Sequence, residues 1–259
     1  FNSGQPWNLT ANGTIFKTDS KGIIPNLLER WYSERKEMQK KAKDNQASGN
    51  KIDFEYWDKR QLVKKINLNS LYGAILNQGS RFYDQRLGQS TTLTGRCIAR
   101  HMASQLNKII AGDYDHRGEA IVYGDTDSAY FSAYPLLKEQ IKQGEIQWNK
   151  DTAIKYYDAV CEDVNDTFPG FMKRAFNVPK SVGKVIAAGR ETCATAGIFI
   201  KKKRYAIMVY DNEGFREDSD DKPGKVKAMG LDLKRSDTPD FMQNYLMELL
   251  VLTLTGGTE

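Results

Sequence analysis

The 259-residue sequence has few of the residues that build disulfide frameworks or zinc sites. Its three cysteines are scattered and odd in number, and its two histidines are isolated. Neither pattern supplies the closely spaced ligands of a structural zinc site, and we interpret the cysteines as reduced packing residues. The sequence also lacks any apolar run that approaches the length of a membrane span, so we expect no membrane partner.

Positive charge is in excess and is unevenly distributed. The net charge is +5, and residues 30–65 alone contain eleven Lys or Arg and six Asp or Glu, a local balance equal to that of the whole chain. A basic segment of this kind suits a polyanionic partner such as nucleic acid. A solvated helix face would have the same composition, so the segment carries weight only together with other motifs.

Residues 122–128, with the sequence VYGDTDS, form the most informative string. Apolar runs flank it and Gly124 permits a tight turn, a pattern that predicts a β-hairpin with two acidic residues at its tip. Asp125 and Asp127 are two positions apart and would point the same way in an extended chain. Two carboxylates held together favour a cation between them, and Mg²⁺ takes such oxygens when phosphates supply the remaining ligands. The alternative interpretation is an exposed acidic turn.

The pattern along the chain predicts an α+β fold. Residues 22–44 and 53–76 have the character of helices joined by a polar turn at 46–51, and they predict an antiparallel helical hairpin. Further helices are predicted at 91–111, 134–143, 152–176 and 238–254, and strand-like runs at 14–16, 184–188, 197–210 and 225–229. These strands would form an antiparallel sheet that bears the acidic hairpin.

The second predicted helix carries a mixed polar stripe. Lys65, Asn69 and Tyr72 are spaced i, i+4, i+7 and share one face, where they would bind a phosphate and contact a base. Arg35 on the first helix would face Lys65 across the hairpin, and a triphosphate would relieve the repulsion between the two cations. The alternatives are an ordinary polar stripe and surface pairing of Arg35 with acidic neighbours on its own helix.

A third cluster is cationic. Strand alternation within residues 197–210 would place Lys201, Lys203 and Tyr205 on one face. A row of cations that ends in an aromatic residue suits a DNA backbone or minor groove. The alternative is an edge strand that its lysines protect from aggregation.

Together these strings resemble the motifs of one protein family. Residues 65–73 (KINLNSLYG) resemble motif B, residues 123–128 (YGDTDS) motif C and residues 202–205 (KKRY) the Lys-x-Tyr motif of family B DNA polymerases. Strings that resemble the T-even phage branch in particular occur at 22–25 (GIIP), 229–231 (MGL) and 236–239 (SDTP). The similarity covers essentially the whole chain.

The resemblance implies a polymerase palm with an antiparallel sheet and an inserted fingers subdomain made of an antiparallel helical hairpin. The implied boundaries are palm at 1–22, fingers at 23–80, palm with motif C at 81–236 and the start of a thumb at 237–259. The implied activity is template-directed DNA synthesis, in which a primer 3′-hydroxyl attacks a dNTP. It would take place in the cytoplasm of an infected bacterial host.

The resemblance also assigns roles to residues of the palm. Asp127 resembles the carboxylate that binds both catalytic Mg²⁺ ions, and Asp125 resembles its supporting neighbour. Lys203 and Tyr205 resemble the residues that contact the primer end and its minor groove, and Lys201 lies beside them as a further DNA contact.

In the fingers, Lys65 and Arg35 resemble the residues that hold the incoming triphosphate. Asn69 occupies a position that faces the nucleotide, and Tyr72 a position under the nascent base pair. The family has a second triphosphate-binding lysine four residues after the arginine, where this chain has Gln39. Either the next residue, a lysine, substitutes for it with a shifted register, or the grip on the triphosphate is weaker.

Motif A, which holds the other metal-binding aspartate, is absent from the sequence, as is the acidic 3′–5′ exonuclease domain. Both would lie upstream of Phe1, so the expected partners are primer-template DNA, a dNTP and an N-terminal polymerase portion carrying motif A and the exonuclease. A two-metal transfer needs carboxylates from both motifs. Two alternatives stay open: a non-catalytic module that binds primer-template or nucleotide, and one subunit of a split polymerase.

Overall fold

The computed structural model describes residues 6–256, apart from the side chain at position 234. The helices are α1 Ile23–Ala47, α2 Lys51–Leu76, α3 Gln85–Ala111, α4 Tyr134–Lys142, α5 Lys150–Phe176, α6 Lys180–Gly183 and α7 Asp240–Thr255, with a 3₁₀ turn at Asp232–Lys234. The strands are β1 Trp7–Leu9, β2 Ile15–Lys17, β3 Ile121–Asp125, β4 Ser128–Phe131, β5 Thr192–Lys201, β6 Arg204–Asn212, β7 Phe215–Arg216 and β8 Lys225–Met229. The predicted α+β class is confirmed, since residues 6–256 combine these helices with strands whose pairings are antiparallel. The prediction of a single sheet that bears the acidic hairpin was wrong: the described strands form three sheets, and β3 and β4 form a two-stranded sheet of their own.

The chain divides into two compact units. The first contains the described residues up to Cys97 together with Met172–Val178, and the second contains Ile98–Phe171 and the described residues from Pro179 onward. Residues of α3 and α5 therefore belong to both units. Within residues 6–256, no helix is both long enough and apolar enough to span a membrane.

The first unit is built around the predicted helical hairpin, which is confirmed. The α1–α2 connection turns at Gly49, whose φ of +75° lies in the left-handed region that glycine adopts without strain. Asn50 then caps α2, because its side-chain oxygen accepts the Asp53 backbone N–H at 3.3 Å. A short β1–β2 hairpin precedes the helices.

The core of the second unit lies between α3 and α5. Leu106 from α3 packs against Val160, Val164 and Phe168 from α5, and all four side chains are at most 3% exposed. Residues of the β3–β4 hairpin, Phe131 among them, cover this cluster from one side. The apolar spacing on the two helices therefore positions the hairpin that carries the acidic pair.

Strand β6 is the centre of the larger sheet and is buried on both faces. Tyr205, Ile207 and Val209 point to one side and form a cluster with aromatic residues of the β3–β4 hairpin. Ala206 and Met208 point to the other side and pack against α7. This alternation follows from the two-residue period of a strand, and it places the acidic hairpin and α7 on opposite faces of one strand.

Two strand predictions were wrong. Residues 197–210 do not form one strand, because the chain reverses at Lys202–Lys203 between β5 and β6. Residues 184–188 form no strand either: the amide oxygen of Asn165 accepts the Ala188 N–H at 2.6 Å, and its amide nitrogen donates to the Ala188 carbonyl at 2.9 Å. A side chain thus satisfies the backbone groups that a neighbouring strand would otherwise pair.

Candidate active site

The acidic hairpin predicted from residues 122–128 is present. Asp125 is the last residue of β3 and pairs with Ser128, the first residue of β4, so Thr126 and Asp127 form a two-residue turn. Thr126 has a φ of +54°. The expectation that both carboxylates follow the alternation of an extended chain is wrong, because Asp127 lies in the turn and not in the strand.

The two carboxylates of the turn have no cationic side chain as a partner among residues 6–256. The Thr126 hydroxyl donates to Asp125 Oδ1 at 3.2 Å, and the Ser128 hydroxyl donates to the Asp125 carbonyl oxygen at 3.1 Å. Among residues 6–256 neither Asp125 nor Asp127 forms an ion pair, and no third acidic, cysteine or histidine side chain joins them in a metal-binding group. The donor set suits a hard cation such as Mg²⁺, whose other ligands would have to come from elsewhere.

An aromatic cluster joins the acidic hairpin to strands β5 and β6. Tyr123 and Tyr130 pack against Phe199 and Tyr205, with ring centroids 5.3 to 6.0 Å apart. The Tyr130 hydroxyl donates to the Tyr205 hydroxyl at 3.0 Å. Burial, together with this hydrogen bond, raises the pKa of Tyr130 well above its usual value, so the phenol stays protonated and remains a donor.

The cationic residues lie beside this cluster, Lys201 at the end of β5 and the next two lysines in the turn that follows. Lys201, Lys202 and Lys203 are all exposed. Lys203 occupies the left-handed region at φ +61°, and its backbone N–H donates to the Tyr123 hydroxyl at 2.8 Å. Tyr205, predicted to share an open face with the lysines, is instead 5% exposed, and its hydroxyl meets that of Tyr130. Its predicted contact with DNA stays a prediction.

The charged residues that face each other across the helical hairpin agree only in part with the prediction. Arg35 faces α2 as predicted, but its Nε donates to Gln61 Oε1 at 3.2 Å, one turn before Lys65. Glu34 forms an ion pair with Lys64, which lowers the pKa of its carboxyl. The alternative, in which Arg35 pairs with acidic neighbours of α1, is not observed among the described ion pairs.

The other predicted residues of α2 differ in exposure. Lys65 and Asn69 are exposed, and Lys65 has no ion-pair partner in the described part of the chain. The Tyr72 hydroxyl is buried and has no hydrogen-bond partner among residues 6–256. Gln39 is half-buried and Lys40 is exposed. These residues belong to the first unit, whereas the acidic hairpin and the lysine turn belong to the second.

A cleft that the sequence did not predict lies within the second unit. Its volume is about 440 Å³, and consecutive residues of β4 and β5 line it from either side, with Asp127 and Arg190 among the residues that complete it. Within residues 6–256, β4 pairs only with β3, and β5 pairs only with β6. Each strand therefore leaves one edge without a partner strand.

Arg190 is a buried charge of the second unit that sequence analysis missed. Its Nε donates to Asp158 Oδ1 at 2.6 Å and its Nη1 pairs with Asp211, a carboxylate that is only 3% exposed. These three residues are far apart in the sequence and form no local motif. Only the fold brings them together, so no sequence signal was available.

Comparison with known proteins agrees with these features. Residues 6–143 match the model of DNA polymerase family B. The DNA-directed DNA polymerase of Escherichia phage RB69 is 31% identical over 210 residues, which cover 76% of this chain and 22% of the relative. The DNA-directed DNA polymerase of Enterobacteria phage T4 is 30% identical over 213 residues, covering 77% and 23%. DNA polymerase 1 of Pyrococcus abyssi (strain GE5 / Orsay) is 25% identical over 245 residues, covering 95% and 25%. The chain thus spans about a quarter of the length of these relatives.

Proposed function

Because this chain belongs to DNA polymerase family B, we propose that it is the palm and fingers part of a template-directed DNA polymerase. In the proposed reaction the primer 3′-hydroxyl loses its proton to solvent and attacks the α-phosphate of a dNTP. A new P–O bond forms, the bond from the α-phosphorus to the α,β-bridging oxygen breaks, and pyrophosphate leaves with the electrons of the broken bond. The observation that carries the proposal is the β3–β4 turn, where two carboxylates without cationic partners lie on a cluster that also supports an exposed lysine turn.

Asp125 and Asp127 would hold Mg²⁺ in this proposal. Their oxygens are the hard ligands that this ion prefers, and no ion pair within the described residues competes for them. Bound Mg²⁺ supplies neutralisation of the triphosphate and of the developing charge on the leaving oxygen. The residues themselves contribute position, because the tyrosine cluster fixes the strand that carries Asp125.

The helical hairpin would hold the triphosphate. Arg35 bonds to a neutral amide and Lys65 has no ion-pair partner among residues 6–256, so both retain an unneutralised positive charge for phosphate oxygens. Lys64, the residue before Lys65, is neutralised by Glu34 on α1. We propose that Asn69 faces the bound nucleotide and that Tyr72 lies under the nascent base pair. We further propose palm at 1–22 and 81–236, fingers at 23–80 and the start of a thumb at 237–259.

A further carboxylate of the metal site would come from an N-terminal polymerase portion that carries motif A and the exonuclease domain. The cleft between β4 and β5 supports this partner, since two unpaired strand edges face one space beside Asp127. A motif A strand paired with the free edge of β4 would run beside the turn that carries Asp127. The portion would be continuous with this chain or, in a split polymerase, a separate subunit.

Primer extension tests the proposal. We expect the purified chain with Mg²⁺ to extend a labelled primer-template negligibly, and the same chain with a fragment carrying motif A to extend it. Asp127→Asn in the mixture should abolish extension. Robust synthesis by the chain alone would contradict the proposal that the metal site needs a carboxylate from motif A. DNA or nucleotide binding without synthesis in the mixture would favour the non-catalytic binding module.

A further inference from the structure

Lys203 has a backbone conformation that an L-residue other than glycine rarely adopts. Its φ of +61° lies in the left-handed region, where a β-carbon comes too close to the following carbonyl oxygen. It lies in the two-residue connection between Lys201 and Arg204, which are partners in the β5–β6 register. Such a conformation persists when surrounding contacts hold it.

Both peptide groups of Lys203 are held. Its N–H donates to the Tyr123 hydroxyl at 2.8 Å. On the other side, a Cβ on Gly230 would lie 2.1 Å from the Lys203 carbonyl oxygen, so only glycine fits against this peptide group. The Gly230 carbonyl is fixed in turn, because it accepts a hydrogen bond from Arg204 Nε at 2.8 Å.

Tyr123 connects this turn to the acidic hairpin. It lies in β3, two residues before Asp125, and its ring packs within the aromatic cluster at centroid distances of 5.6 to 6.0 Å. The hydroxyl that accepts the Lys203 N–H is therefore attached to the strand that ends in the metal-binding turn. The Lys203 side chain is exposed and forms no ion pair with any residue of 6–256.

We propose that Tyr123 is a positioning residue for Lys203. Its hydroxyl holds the left-handed turn against β3, so that the Lys203 ammonium meets a backbone phosphate of the primer duplex at a fixed distance from the acidic pair. This inference rests on the proposed function, since it takes DNA as the ligand. Removing the phenolic oxygen of Tyr123 should therefore weaken a phosphate contact that the phenol does not itself make.

The test uses the full chain and a fluorescently labelled primer-template duplex, with binding measured over a series of KCl concentrations. Lys203→Asn removes the charge with a residue that tolerates the left-handed region, and it should lower the slope of log K against log salt by about 0.9. Tyr123→Phe keeps the ring and should weaken binding about fivefold, the equivalent of one lost hydrogen bond. Combined with Lys203→Asn, it should have an effect below about twofold.

Tyr130→Phe is the matched control, because it removes another hydroxyl of the same cluster, one that bonds to Tyr205 and not to Lys203. It should leave DNA affinity within about twofold and should keep the slow hydrogen exchange of the Lys203 amide, whereas Tyr123→Phe should lose that protection. Gly230→Ala crowds the other peptide group of Lys203 and should weaken DNA binding about as much as Tyr123→Phe does. Combined with Lys203→Asn, it should also change DNA affinity by less than about twofold.

Equal effects of Tyr123→Phe in both backgrounds, or equal effects of the two phenylalanine variants, would overturn the positioning role. An unchanged salt slope in Lys203→Asn would instead overturn the contact between Lys203 and a DNA phosphate and, with it, the ligand of this inference. The amide exchange measurement is made without DNA, so the two failures are distinguishable.

Discussion

Asp127 is exposed in the hairpin turn and forms no ion pair within residues 6–256. Asp127→Asn should therefore change the free energy of unfolding by less than about 0.5 kcal/mol. In the completed polymerase it should nearly abolish incorporation, because it would remove a proposed ligand of Mg²⁺, while DNA affinity stays about the same. Thermal unfolding, DNA binding and single-turnover incorporation measure the three effects. A rate near that of the wild type would contradict the metal-binding role.

Lys65 and Lys64 are adjacent lysines in different electrostatic states, which makes them a matched pair. Lys65→Ala should weaken dNTP use by about tenfold to a hundredfold, since a charge-assisted phosphate contact contributes about 1.5–3 kcal/mol. Lys64→Ala removes a cation that Glu34 already neutralises and should leave dNTP use nearly unchanged. The measurement is single-turnover incorporation against dNTP concentration in the completed enzyme. If Lys64→Ala or Gln39→Ala proved as damaging as Lys65→Ala, the assignment of the phosphate-binding face would be wrong.

Asn107 holds the chain segment that leads from α3 into β3 of the acidic hairpin. Its Oδ1 accepts the N–H of Ala120, which is completely buried, at 3.0 Å, and its Nδ2 donates to the Asp113 carbonyl at 2.8 Å. Asn107→Ala leaves both backbone groups without these partners and should lower the free energy of unfolding by about 1–3 kcal/mol. Chemical denaturation measures this change. Asn45→Ala, which removes one exposed hydrogen bond on α1, is the control and should have a much smaller effect.

At the scale of elements, the helical hairpin and the acidic hairpin were predicted because their signals are local. Two long segments of helical character and the polar turn between them define α1 and α2 within residues 22–76 itself. The β5–β6 reversal was not predictable in this way, because Lys203 carries no turn signal. Its backbone N–H bonds instead to Tyr123, which lies 80 positions earlier in the sequence.

The segment at 184–188 was misread for a related reason. Ile186 and Ala188 pack against the core between α3 and α5, so the segment is as apolar as a strand. Its backbone partner is the side chain of Asn165, however, which no local pattern indicates. The candidate site divides in the same way: its carboxylates and cations could be predicted from motifs, whereas Arg190 and the cleft depend on contacts between distant residues.

The loop after β7 should make the second unit sensitive to acid. The carboxylate of Asp218 is 8% exposed and binds both Arg216 and Lys150, and the hydrogen bond from Arg216, followed by that from Lys150, holds its pKa far below the usual value. Because the folded-state pKa is lowered, this contribution to stability is complete above the pKa of the unfolded chain and is lost as the pH falls below it.

Denaturant midpoints measured from pH 7 to pH 3 check this prediction. Asp218→Asn should lower stability at neutral pH and flatten the dependence below about pH 4, the ordinary range of an aspartate. Asp237→Asn is the control, because the pair of Asp237 with Arg235 is largely exposed on both sides and contributes little. Identical pH profiles for the wild type and Asp218→Asn would contradict the assignment.

At the scale of the whole molecule, the cleft between β4 and β5 predicts where an added motif A portion changes the chain. Amides on the free edges of these strands should exchange rapidly in the chain alone and slow when the portion binds, because new ladder hydrogen bonds form. Hydrogen exchange with mass spectrometry would follow peptides that cover 128–132 and 192–197. The β8 segment, which pairs with β6 away from the cleft, is the internal control. Uniform slowing, or none in the two strands, would contradict the placement.

Strand β6 also sets which changes in length the chain can tolerate. Its residues alternate between the aromatic cluster under the acidic hairpin and the apolar face of α7. An insertion of one residue within 205–209 would exchange these two sets along the rest of the strand, whereas an insertion at the Glu213–Gly214 turn would leave both in place. Natural variants should therefore carry substitutions in β6 but insertions and deletions only beyond its ends. The alternation of side chains along β6 therefore fixes which residues of the second unit face the aromatic cluster and which face α7.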